Sequence, residues 1–254
     1  MTFPKSLLTA GLVFAFAHAA MAQQAPVHLV VSNGMKAVVE ALRPQIEKKI
    51  GHPMVMDYGS TTGLTEKIDR GATFDVAILT SEGVDALVKK GKVAAASRTD
   101  FARCGVGLAV KSGSPKPDIA TPEALKKTLE AAASITYAGD GASRPTIDHM
   151  IDRLGVAQKV KPKVILTKGS GPAMASVADG RVAVVMTLIS ELMPVKGIDV
   201  VGPLPGDLQN YVRFGAGIGA SATQPQTARA LIAFLASPEA APVYKAKGME
   251  AVRQ

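Results

Sequence analysis

The sequence predicts an α/β protein with mixed, mostly parallel sheets, folded as two lobes around a cleft. Three observations carry this prediction. Apolar strand runs alternate with helical runs along the 254 residues. The strand–loop–helix units fall into two groups, with extended connections near residues 104–110 and 209–221. Loops of small polar residues recur between strands and helices, and ligands of open α/β sheets sit at such carboxyl ends of strands. The expected division is a leader at 1–22, a first lobe of 23–104 plus 212–254, and a second lobe of 105–211.

Taken in order, residues 27–31 read as a strand, interrupted by Ser32, Asn33 and Gly34. A helical period follows through Val38, Leu42 and Ile46, with Pro44 expected to break or kink it. Residues 55–58 are the next strand. Ser60, Thr61 and Thr62 then introduce a short helix with Leu64 and Ile68 on one face and Gly71 as its stop. Residues 76–79 form a strand introduced by Asp75, Ser81 is expected to cap a helix ending at Gly91, and 104–110 is a further strand. In the second group, Thr121-Pro122-Glu123 opens a helix. A strand at 134–138 leads through loop 139–146 to a helix ending at Gly155. Strands are expected at 164–167, 182–186 and 198–201, and Lys168 to Pro172 lead into a helix stopped by Gly180. Residues 211–221 form a long last strand, a helix carries Ala228, Leu231, Ile232 and Leu235, and Pro238 is expected to open one more short helix.

Residues 1–22 have the form of an export leader: Lys5, an apolar run at 7–17, and Ala20-Met21-Ala22 as a small-x-small cleavage site. The apolar run is short for a bilayer span, and the expected address is the periplasm. Cys104 is the only cysteine and reads as a buried small hydrophobe. The net charge of +8 suits an anionic partner, but the lysines are scattered and tryptophan is absent, which argues against nucleic acid.

Two readings stand for the polar loops. Singly, Ser32, Ser60, Thr61, Thr62, Ser143 or Ser170 can cap helices. Together, the loops holding Ser32-Asn33-Gly34, Ser60-Thr61-Thr62, Ser143-Arg144 and Gly169-Ser170 enclose an anion site of hydroxyls and free backbone amides. Asp140 and Arg144 share one loop and read either as a solvated pair or as Arg144 aimed at an anionic ligand. His28, His52 and His149 show no metal-ligand spacing, and there is no nucleophile elbow or phosphate loop. The glycine-rich 215–220 lacks the helix and acidic residue of a dinucleotide site and reads as a crossing strand. No catalytic residue, metal or cofactor is assigned.

With these parts in place, the chain resembles the type II periplasmic solute-binding proteins of ABC importers, within the molybdate-binding superfamily. The resemblance rests on the strand into Ser32-Asn33-Gly34, on the run from Tyr58 to Ile78, on the loop at 139–146, on Ser190-Glu191 after a strand, and on the closing run from Phe234 to Met249. It implies a monomeric carrier that closes its lobes on a small anion and docks on a membrane permease. It also implies that Ser32 and one or more of Ser60, Thr61 and Thr62 donate from the first lobe, with backbone amides near 143–146 and 169–171 donating from the second.

Two departures bear on the ligand. Molybdate binders typically carry a tyrosine donor in the strand before the Ser-Asp/Glu pair, and here residues 184–192 read VVMTLISEL. Arg144 suits a planar carboxylate better than a tetrahedral oxyanion. The expected ligand is therefore a molybdate-like oxyanion or an organic carboxylate. The alternative is an enzyme on the same fold, similar to aconitate isomerase, with Asp140, Glu191, Tyr58 or His149 as candidate proton shuttle.

Overall fold

The computed structural model describes residues 24–252; the expected leader at 1–22 lies outside them. The first part alternates β1 (Val27–Ser32), α1 (Asn33–Ile50), β2 (Met54–Gly59), α2 (Thr61–Asp69), β3 (Val76–Thr80) and α3 (Ser81–Lys89). Next, β4 (Thr99–Cys104) and β5 (Val106–Lys111) are one extended run divided at Gly105. The middle of the chain supplies α4 (Pro122–Ala131), β6 (Ile135–Ala138), α5 (Arg144–Arg153), α6 (Ala157–Val160), β7 (Val164–Thr167), α7 (Ser170–Ala178), β8 (Val184–Leu188), α8 (Ile189–Leu192) and β9 (Ile198–Pro203). The chain ends with β10 (Val212–Ile218), α9 (Pro225–Leu235), α10 (Ala241–Ala246) and β11 (Met249–Ala251).

These strands form a six-stranded sheet, β11-β4-β10-β3-β1-β2, and a five-stranded sheet, β7-β6-β8-β5-β9. β1 pairs in parallel with β2 and β3, and β6 with β7 and β8. Every antiparallel pairing involves β4, β5 or β10, the strands that flank the two crossings between sheets. The architecture is thus two lobes with mixed sheets, and the strand-to-helix loops of both face one seam.

The crossing itself is tied. The side-chain amide of Gln209, on the returning segment, accepts from the Val106 amide at 2.8 Å and donates to the Val106 carbonyl at 2.7 Å. A Cβ on Gly105 would sit 2.8 Å from Gln209 Nε2, so only glycine leaves room for this clasp. Cys104, just before it, is buried as expected, and burial pushes its thiol pKa up.

Helix α1 carries the core of the first lobe. Met35, Val38, Val39, Leu42 and Ile46 are all 0% exposed, and burial of each such side chain contributes about 1.5–3 kcal/mol. Of the break or kink expected at Pro44, the break does not occur, for α1 runs through it to Ile50. Pro44 and the residue one turn earlier, Glu40, are exposed, so the carbonyl that loses its helical partner can be solvated while Leu42 and Ile46 hold the helix to the core.

Other local readings are corrected. The cap of α3 is Thr80, whose hydroxyl accepts from the Gly83 amide at 3.2 Å. Ser81 instead donates to Asp100 at 2.6 Å. The strand expected at 104–110 begins earlier and is split, because the chain changes sheets at Gly105. Pro238 lies in a turn, and the short helix opens at Ala241 with Pro242 in its first turn. The three-residue β11 was not anticipated, since its pairing with β4 is tertiary.

Candidate functional site

Two hydrogen-bonded clusters occupy the seam between the lobes. The first joins three strand-to-helix loops. Ser60 ends the loop after β2, and its hydroxyl accepts from the Gly63 amide at 3.1 Å, capping α2. The same hydroxyl donates across the seam to Asp140 Oδ2 at 2.9 Å. Asp140 Oδ1 accepts from the Gly169 amide at 2.7 Å. Gly169 precedes α7 with φ of 75°, a left-handed backbone that glycine adopts freely and that turns its amide toward Asp140. Burial opposes ionisation of Asp140, but the Gly169 amide, the Ser60 hydroxyl and nearby Lys168 together hold its carboxyl below the usual range. A cavity of 660 Å³ opens on this cluster, lined among others by Ser60, Thr62, Asp140, Lys168 and Gly169.

The second cluster is built from the second lobe alone. Glu191, on the short α8, accepts from Ser170 at 2.9 Å and from the hydroxyl of Thr187 at the end of β8. Thr187 in turn lies 3.5 Å from the Ser143 hydroxyl. Burial of the Glu191 carboxyl pushes its pKa up, against the pull of the Thr187 and Ser170 hydroxyls. A cavity of 400 Å³ reaches it, lined by Asn33, Lys36, Ser170, Ser190 and Glu191 among others.

Between the clusters the lobes touch closely. Ser190 donates to the Gly34 carbonyl at 2.8 Å, and a Cβ on Gly34 would meet Leu188 Cδ1 and Phe214 Cζ at 2.7 Å. Gly34 is therefore where the start of α1 comes against the end of β8. Ser32, just before α1, is 2% exposed, and its hydroxyl makes no capping bond.

The sequence-predicted residues divide accordingly. Ser60 and Gly169 meet at Asp140, Ser143 and Ser170 meet around Thr187 and Glu191, and Ser32, Asn33 and Gly34 bring the start of α1 to the seam. Thr61 turns away, its hydroxyl accepting from the Thr80 amide at 3.3 Å, and Thr62 is exposed at the rim of the larger cavity. Arg144 does not pair with Asp140. It stands in the first turn of α5, donating to the Gly139 carbonyl at 2.7 Å and to Asp148 at 3.2 Å. Its i, i+4 partner, visible in the sequence, forms a partly exposed ion pair with it.

Among the candidate proton shuttles, Tyr58 donates to Glu40 at 2.7 Å, and burial with that carboxylate pushes its phenol pKa up, so it stays a donor. His149 is exposed on α5. Thr187 was missed, although it lies in β8, the strand before Ser190-Glu191 in which the resemblance led one to look for a tyrosine. Among the described residues no group of three or more His, Cys, Asp and Glu is placed to hold a metal, and no helix is long and apolar enough to cross a membrane.

Residues 27–250 match the family model described as bacterial extracellular solute-binding protein. Two curated proteins align over most of their lengths. An aconitate isomerase from Pseudomonas sp. is 30% identical over 227 residues, covering 87% of this chain and 86% of that one. The molybdate-binding protein ModA of Azotobacter vinelandii is 28% identical over 237 residues, covering 91% and 92%. The solved structure of an Azotobacter vinelandii periplasmic molybdate-binding protein superposes with a TM-score of 0.76 at 17% identity in the structural alignment, covering 90% of this chain and 99% of that one. That likeness establishes the type II periplasmic binding protein fold.

Proposed function

Because this chain belongs to the bacterial extracellular solute-binding protein family, we propose that it captures a small anion between its lobes in the periplasm and delivers it to a membrane permease. One observation carries the reading: neutral donors from opposite lobes, the Ser60 hydroxyl and the Gly169 amide, converge on the oxygens of a single carboxylate at the seam. Helix N-termini and hydroxyls stabilise a negative charge there, and nearby Lys168 adds to them. The group these donors hold is a planar carboxylate, that of Asp140, which supports an organic acid as the ligand. The molybdate-binding relative supports the anion class, and the isomerase relative, by its printed name, supports a polycarboxylate. Calorimetry of the mature chain against molybdate, tungstate, sulfate, phosphate and a panel of di- and tricarboxylates tests this. Heat of binding is expected with one or more carboxylates, and silence with both classes ends the proposal.

A second reading is favoured by Glu191. Moving a proton between two carbons of a tricarboxylate needs a group that takes and returns it, and Glu191, a carboxyl made more basic by burial and reached by the 400 Å³ cavity, is suited to that role. Together with the isomerase relative this supports an enzyme that interconverts cis and trans tricarboxylates on the same fold. NMR of aconitate incubated with the pure chain separates the two readings: interconversion makes it an enzyme, and binding without interconversion leaves it a carrier.

A further inference from the structure

The carboxylate between the lobes belongs to the chain itself, and this has a consequence for how a ligand enters. Asp140 stands between Gly139 and Gly141, on the loop that leaves β6, and its carboxylate reaches two other strand-to-helix loops at once. Its two oxygens are divided between the lobes, one taking the Ser60 hydroxyl from the first and the other the Gly169 amide from the second. An anion bridging the lobes through these donors would need the same two bonds. The 660 Å³ cavity opens directly on the carboxylate and is walled by Lys168, Thr167 and Gly59 as well as by the donors. Space for a ligand therefore exists next to Asp140, while the donors themselves are engaged.

We propose that Asp140 is an internal occupant of the anion site: it bridges the lobes in the ligand-free chain, and an incoming carboxylate takes over the Ser60 and Gly169 donors by displacing it. The inference rests on the anion-capture reading and adds to it a built-in competitor that sets the threshold of binding. A weak or singly bonded anion fails to displace a carboxylate that already has both donors. A ligand with further contacts in the cavity succeeds. The glycines on both sides are held by hydrogen bonds, Gly139 to Thr167 and Arg144 and Gly141 to Ala138 and Arg144, so withdrawal of Asp140 is a movement of its side chain.

The test uses acetate as the probe, because it carries the same functional group and little else. In Asp140→Ala the donors are left open, so acetate is expected to raise the melting temperature of the variant while leaving that of the unaltered chain unchanged. An equal response of both chains, or of neither, overturns the proposal. Asp140→Asn serves as a second variant if the alanine chain does not fold. It keeps the size of the side chain and an acceptor for the Gly169 amide, but removes the charge. Whichever carboxylate binds the unaltered chain in the calorimetric panel is expected to bind this variant about fivefold or more tightly, the scale of one hydrogen bond to a charged group. Unchanged or weaker binding overturns the displacement. The acetate arm needs no natural ligand, so failure of anion capture in the panel and failure of the internal occupant are read separately.

Discussion

Two carboxyl groups lie on the same seam and are held in opposite ways. Asp140 receives an amide from one lobe and a hydroxyl from the other, and its pKa falls. Glu191 receives two hydroxyls from its own lobe within a buried setting, and its pKa rises. Both are carboxyls with two donors, so the number of hydrogen bonds does not decide the charge. What differs is the quality of the donors and the loss of water. A helix N-terminal amide and a nearby lysine favour the anion, whereas two hydroxyls, which can also accept, do not outweigh burial. One cleft thus carries an ionised group suited to electrostatic work and a more basic one suited to proton transfer.

The comparison breaks most sharply under Glu191→Gln. If Glu191 moves a proton, turnover of aconitate should fall about a hundredfold or more while ligand affinity changes little. Equal activity in the variant removes Glu191 from the chemistry. Gly34→Val comes next. Its branched side chain would collide with Leu188 across the seam and with Phe214 of its own lobe, push the start of α1 off the end of β8, and weaken anion binding by about tenfold, on the scale of overpacking costs of about 1–3 kcal/mol. Calorimetry reads the loss, and circular dichroism checks that the fold persists.

The pH dependence of stability should separate the two acids by sign. Asp140, with its folded pKa lowered, contributes stability above its unfolded value that is lost as pH falls through the folded one. Glu191, with its folded pKa raised, contributes stability below its unfolded value that is lost as pH rises through the folded one. Melting curves of Glu191→Gln should therefore decline less than those of the parent as pH rises from acid toward neutral. The difference should be of a few degrees, since about 1 kcal/mol corresponds to roughly 2–4 °C in a chain of this length. The smallest effect is local. Carboxyl NMR should show Asp140 titrating higher in Ser60→Ala and Glu191 titrating higher in Thr187→Val, each with the other acid unmoved.

The parts of this molecule that were legible in the sequence are those decided by neighbours along the chain. Leu64, Ile68 and Gly71 specify α2 by spacing and stop, and Thr121-Pro122 specifies the start of α4. The misreadings occur where tertiary contacts decide. Pro44 stays within α1 because buried neighbours hold the helix while its exposed flank is solvated. Thr80 rather than Ser81 caps α3 because Asp100, on another strand, takes the serine hydroxyl. The loops of the site were readable as donors, but their partners were not. Asp140 reaches Ser60 across 80 positions of sequence, a pairing that no local pattern encodes. Arg144 shows the reverse, since its nearby partner Asp148 could have been weighed from spacing alone.

The Gln209 clasp at Val106 and the adjoining pairing of Val212 with Cys104, between β10 and β4, hold the two crossing segments together. They mark this crossing as the pivot expected for any opening of the lobes, with displacement growing with distance from it. The chain is therefore a pair of tongs with its pivot built in. Reporter groups at the pivot would register almost nothing, whereas a pair on the far rims of the larger cavity, near Arg70 and Lys168, would register the full stroke.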